Sequence, residues 1–201
     1  MATIQKPTPW IVCLAILAIF FVPYGILNHI PFERQNLPFI LNEEKIPFLS
    51  WSFVIYISLF FQGMLVIRKI PKRFLLPWVK IAGFMVLLHV IAFILFPISY
   101  PRERTPDENF LAFIIRETDM PVNCFPSLHV SATLLFAVCF SLIEMSKGKI
   151  FLMWVWSTAV ILSVLTTKQH YAIDILGSFW LTTGILLVFR KKINIASPAP
   201  S

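Results

Sequence analysis

Charge is scarce in this chain of 201 residues: Asp, Glu, Lys and Arg together make up 13%, against 58% hydrophobic residues. Soluble domains carry about 25% charge, so a free globular fold in water is excluded. Cysteine is scarcer still, with three copies. Cys13 and Cys139 fall inside apolar runs and Cys124 stands alone in a polar stretch, so neither a disulfide framework nor a C-x-x-C metal spacing is available. No metal and no cofactor is implied. Acidic residues number 10 against 17 basic ones, a formal charge of +7. The basic residues collect at the ends of apolar runs instead of along an arm or groove, so the expected partner is the bilayer and not nucleic acid.

What the chain has in abundance is long apolar sequence. The runs lie at roughly 9–30, 47–67, 77–96, 126–144, 150–166 and 171–189, and about 20 residues of helix cross a hydrocarbon core of about 30 Å. The expected fold is therefore all-α: a polytopic integral membrane protein whose six transmembrane helices form one bundle over residues 1–195, with a disordered tail at 196–201. The first run is too long for a signal-peptide core and reads as a retained anchor. Pro9, Pro47 and Pro77 each open a span, where a missing N–H costs nothing, and Pro23 is placed to kink the first helix. Between the third and fourth spans, Phe110, Leu111, Phe113, Ile114 and Ile115 are bracketed by charges. That segment is too short to span; it reads as an interfacial or re-entrant helix over the mouth of the bundle, or equally as a helix that only packs the loop.

Orientation follows from the loop cations. One side holds Lys6, Arg68, Lys69, Lys72, Arg73, Lys80, Lys147, Lys149, Arg190, Lys191 and Lys192 against the single anion Glu144. The other side holds six cations and the remaining nine acids. Both termini are expected in the cytoplasm. Loops 31–46 and 97–125 and the turn 167–170 then face periplasm, exterior or lumen.

Ionisable residues are costly within a membrane, so those at span ends weigh more than surface charges. His170 and Asp174 are spaced i, i+4 and share one helix face near the outward surface. The carboxylate could hold one imidazole nitrogen and leave the other free as nucleophile or base; alternatively the pair only satisfies two polar groups in packing. Cys124-Phe125-Pro126-Ser127-Leu128-His129 opens the fourth span on the same side. Ser127 suits an N-cap, and a helix N-terminus beside His129 could bind phosphate. The alternative is that Ser127 only caps and His129 only reaches toward water. Lys168, Arg102 and Arg104 add cations on a side otherwise poor in them, the combination that phosphoryl transfer needs. Arg102 and Arg104 could instead pair with neighbouring acids. His89, in mid-span, reads as a packing hydrogen-bond residue and His29 as interfacial.

Pro126-Ser127-Leu128-His129 resembles the P-S-G-H motif, also found as P-S-L-H, of the type 2 phosphatidic acid phosphatase superfamily. Lys168-Gln169-His170-Tyr171-Ala172-Ile173-Asp174 resembles the end of that superfamily's third motif, H-x-x-x-D, in the form most similar to the inositol phosphorylceramide synthase branch. The resemblance implies a lipid phosphate or pyrophosphate substrate and a phosphohistidine formed on His170. It makes Asp174 the orienting group, His129 the general acid and Ser127 a phosphate ligand. It also implies either water or an alcohol as acceptor, giving a phosphatase or a phosphotransferase. Two departures stand out. Ser163-Val164 occupies the place of the usual Ser-Arg, leaving Lys168 as the replacement cation, and the first motif K-x6-R-P is matched only by Arg104 before Thr105-Pro106, with Pro97 where its lysine would be. Arg104 is the first candidate for the phosphate-binding arginine and Arg102 the second. A non-catalytic membrane binding protein of the same fold is the rival reading; the sequence leaves oligomeric state unassigned.

The orientation is checked by labelling. A cysteine placed at Asp107 is expected to react with a membrane-impermeant thiol reagent applied to intact cells, and reaction only after lysis would invert the topology.

Overall fold

The computed structural model describes residues 18–19, 22–31, 33–102 and 108–195. They are mostly helical. Residues 22–29 form α1, followed by α2 (Phe53–Ile57), α3 (Leu59–Lys69), α4 (Lys72–Leu95), α5 (Phe110–Thr118), α6 (Leu128–Ile143), α7 (Lys147–Thr166) and α8 (Ala172–Ile195). Four stretches among the described residues are long and apolar enough to cross a membrane: Ser50–Lys69, Lys72–Leu95, Lys147–Thr166 and Ala172–Lys191. Exposed Phe61, Leu95, Phe151, Trp180 and Val188 on their outer faces suit lipid better than water. Most of the first expected span, including Pro9, lies outside the described residues.

Local chemistry explains the element boundaries. The second span is not one uniform helix: Ser58 turns its hydroxyl back onto the Ile55 carbonyl at 2.6 Å, and the break between α2 and α3 falls there. Trp156 of α7 donates to the same hydroxyl at 2.8 Å, fixing the break against a neighbour. Pro77 does not open its span as the sequence suggested. It lies inside α4, and Pro71 takes the N-terminal position. Pro71 has φ −57°, already suited to a helix start, and the cations Lys72 and Arg73 fill the first turn beyond it. Asn109 caps α5 by accepting from Ala112 N at 2.8 Å.

The central helix is α6, which packs against α3, α4, α7 and α8. Small residues on it, Ser131, Ala132 and Ala137, are buried and let those neighbours approach. One core gathers Trp78, Ile81 and Met85 of α4 with Leu135 and Phe140 of α6 and Ile185 of α8. A second joins Phe53 and Tyr56 of α2 to Ala112 of α5, Val130 of α6 and Val164 of α7. Polar links cross the interior as well. Gln62 Nε2 donates to Ser157 Oγ at 2.6 Å, and His89 Nε2 lies 3.1 Å from Ser131 Oγ while Nδ1 lies 2.8 Å from the Met85 carbonyl. His89 is therefore a buried packing residue joining α4 to α6.

The two loops expected on the outward side are tied together by a short parallel pair, β1 (Gln35–Asn36) with β2 (Ile98–Ser99), and Ser99 also bridges to Val122. Tyr171 holds this cap down. It is fully buried, and its hydroxyl donates to the Ser99 carbonyl at 3.1 Å and accepts from Leu37 N at 3.1 Å. Replacing Tyr171 with Phe leaves the Leu37 N–H and the Ser99 carbonyl without this partner. The expected cost is about 1–3 kcal/mol, read as a lower thermal midpoint in detergent.

Candidate active site

The site begins with a junction between the start of α6 and the first turns of α8. Ser127 is the N-cap of α6, its hydroxyl accepting from Val130 N at 3.3 Å. Its own backbone N donates to the Asp174 carbonyl at 3.4 Å, and Ser178 Oγ lies 2.9 Å from the Ser127 carbonyl and 2.6 Å from that of Asp174. Gly177 makes this approach possible. A Cβ there would stand 2.6 Å from Phe125 Cε2 and 3.3 Å from Pro126 Cβ, closer than packed atoms allow.

Against that junction sits His170. Its Nδ1 lies 3.1 Å from the Cys124 carbonyl and 3.2 Å from Asp174 Oδ2. Both partners accept, so Nδ1 carries the proton and Nε2 keeps its lone pair for attack. Asp174 is fully buried, and Tyr171 N donates to its Oδ2 at 2.9 Å, which fixes the carboxylate that aims the ring.

His129 stands on the facing helix. Its Nε2 lies 2.9 Å from the Tyr56 carbonyl, which can only accept, so Nε2 carries a proton and Nδ1 is the nitrogen left for exchange. The imidazole stacks on the Tyr56 ring, with centroids 3.9 Å apart and planes within 9°. His129 and His170 both line a cavity of about 510 Å³. Asp119 and Asn123 share its polar end, while Leu59, Phe60, Met64, Ile67 and Phe136 make an apolar wall between α3 and α6.

The cations divide. Arg102 donates through Nη1 to the Asp119 carbonyl and through Nη2 to Gln169 Oε1, which places its guanidinium next to the residue preceding His170. Arg102 Nε and Gln169 Nε2 are buried donors with no partner among the described residues. Lys168 is not brought to the cavity. Its ammonium donates to the Glu43 and Glu44 carbonyls at 2.8 and 3.4 Å, and partial burial lowers its pKa. Arg104 lies outside the described residues. Val164, in the place of the family's arginine, is fully buried in the apolar core around Phe53.

Cys124, His170 and Asp174 offer ligand atoms within 4.8 Å of one another, so a metal would have three donors here. Burial pushes the Cys124 thiol well above its ordinary pKa, which opposes the thiolate that such an ion requires.

Sequence spacing missed Asp119. Its Oδ1 accepts from Tyr24 at 2.6 Å and its Oδ2 from Tyr56 at 2.8 Å, partners 95 and 63 residues away. It also missed Glu43, a buried carboxylate whose Oε1 lies 3.4 Å from Ala172 N at the start of α8. Its one legible signal was an acid in an outward loop, shared with several neighbours that play no such part.

The fold and site together are of the helical-bundle class, with a histidine–aspartate pair and a second histidine at one partly apolar cavity. The family model described as the PAP2 superfamily matches residues 93–196, more than half of the chain, and the chain belongs to that superfamily. Membership supports phosphatase-type or phosphotransferase activity in general; it carries no assignment to the inositol phosphorylceramide synthase branch. No individually curated protein matches the chain.

The junction is tested at its tightest point. Gly177→Ala must displace the Phe125 ring, at an expected cost of about 1–3 kcal/mol and with activity falling more than Gly184→Ala, whose added Cβ meets nothing within 4 Å. Thermal unfolding and turnover of the two variants side by side check it.

Proposed function

We propose that the protein hydrolyses a lipid phosphate or lipid pyrophosphate by way of a phosphohistidine on His170. The observation that supports it best is His170 Nδ1 held between Asp174 Oδ2 and the Cys124 carbonyl, at a cavity that His129 also lines and that has an apolar wall. A phosphate at the polar end would lie beside Nε2 of His170, and a hydrocarbon tail would fit the wall of Leu59, Phe60, Met64 and Phe136.

In the first step Nε2 attacks phosphorus, the bond to the leaving oxygen breaks, and His129 gives that oxygen a proton. Asp174 stabilises the cationic ring that forms. In the second step water, deprotonated by His129, attacks the phosphohistidine and releases phosphate. Ser127 at the start of α6 and Arg102, through its Nε–H, are the proposed ligands of the non-bridging oxygens; Arg104 remains a candidate beside them, and Lys168 would have to leave the Glu43 carbonyl to join. The chain is read as six spans with both termini cytoplasmic and this site on the opposite face, over which α5 lies at the interface. With an alcohol in place of water the same residues would transfer the phosphoryl group.

The test is phosphate release by the detergent-purified protein from phosphatidate, phosphatidylglycerol phosphate, an isoprenyl pyrophosphate and a soluble phosphate ester. Release that falls by about 10³-fold or more in His170→Ala is expected. Equal release by the variant would remove His170 as nucleophile, and no release by the parent would shift the proposal to phosphoryl transfer onto a lipid alcohol or to binding alone.

A further inference from the structure

The aromatic and acidic groups behind His129 have no part in the chemistry above, yet they form a continuous hydrogen-bonded cluster against it. Tyr56 meets His129 twice, through its carbonyl at Nε2 and through its ring face. The Tyr56 hydroxyl is in turn fixed by Asp119 Oδ2, whose other oxygen is held by Tyr24 of α1. The Asp119 carbonyl takes Arg102 Nη1, and Arg102 Nη2 goes on to Gln169, the residue before His170. Asp119 thus joins α1, α2 and the loop ahead of α8, and nothing in helix packing alone requires a carboxylate at that point.

We propose that Tyr56 and Asp119 are positioning residues for His129, presenting its Nδ1 to the leaving oxygen of the substrate. The inference rests on the reading of His129 as general acid. The Tyr56 carbonyl keeps Nε2–H, so the proton that transfers is the one on Nδ1: as the bond from phosphorus to Nε2 of His170 forms and the bond to the leaving oxygen breaks, that proton passes to the oxygen, giving the free alcohol and a neutral His129. The parallel Tyr56 ring fixes the plane of the imidazole and stabilises the imidazolium form by its π face. Asp119, by holding the hydroxyl, fixes the ring and makes it a better partner for a cation. The other titratable groups facing this cavity are His170, His29 and Tyr24; none of them stacks on His129.

A residue that merely supports the fold affects all substrates alike, whereas one that aims the acid lowers kcat/KM, which ends at departure of the leaving alcohol and excludes the later attack of water, only where the leaving group needs a proton. The experiment therefore compares kcat/KM for dodecyl phosphate, whose alkoxide leaves only when protonated, with that for p-nitrophenyl phosphate, whose phenolate leaves without help. Tyr56→Leu is expected to lower kcat/KM for dodecyl phosphate by about 10–100-fold while changing that for p-nitrophenyl phosphate by less than about 3-fold. Tyr56→Phe, which keeps the stack and loses the bond to Asp119, and Asp119→Asn, which keeps the shape and loses the charge, should show the same selectivity at smaller size. Equal loss on both substrates in Tyr56→Phe and Asp119→Asn would reduce the cluster to a structural role and overturn the proposal. If the parent protein releases phosphate from neither ester nor from phosphatidate, phosphatidylglycerol phosphate or an isoprenyl pyrophosphate, the hydrolase reading fails and this inference with it; if it hydrolyses both esters and His129→Ala shows no selectivity, the assignment of His129 as acid fails while the nucleophile stands.

Discussion

The arrangement depends on the contact between the N-terminus of α6 and the first turns of α8. At that point two polar helix starts meet in a chain otherwise built to avoid polarity. Ser127 caps one helix and gives its backbone N–H to Asp174 on the other, and Ser178 lies against both carbonyls. A buried helix end without partners would cost several kcal/mol in a membrane, so these bonds satisfy backbone first. The site is a consequence: the same closure that satisfies the helix ends sets His170 and Asp174 beside the loop that leads to His129.

The tension is between burial and ionisation. Asp174 is fully buried; Tyr171 N and His170 Nδ1 both donate to its Oδ2, while Oδ1 has no partner among the described residues. Asp119 is half-buried and accepts from two tyrosine hydroxyls, one on each oxygen. Each carboxylate is thereby coupled to one histidine, Asp174 directly and Asp119 through the Tyr56 ring. The apolar wall running down from them belongs to α3 and α6, so the polar end of the cavity grades into a lipid-like one without a boundary.

Much of this was legible in the sequence. Runs of apolar residues about 20 long have few alternatives to membrane-length helices, and H-x-x-x-D puts two side chains on one face whatever surrounds them. Ser127 reads as a cap for the same local reason, and the motif that contains it, with the H-x-x-x-D that follows, resembles the superfamily to which the chain belongs. The start of α4 was misread because Pro71 and Pro77 are equivalent by the rule that proline tolerates a first turn. Lys168 was read as facing the phosphate, but its backbone turns left-handed at φ 54° and its side chain reaches the Glu43 and Glu44 carbonyls instead.

The sequence by itself determined what is periodic or local: apolar length, loop charge, the i, i+4 pair and the cap. Those properties are set by neighbours within a turn or two of helix and do not depend on the rest of the chain. Only the tertiary structure decided which nitrogen of each histidine is held, that Arg102 comes to Gln169, and that Asp119 reaches His129 through Tyr56. Each of these joins residues tens of positions apart, where spacing carries no geometric information and packing alone selects the partner.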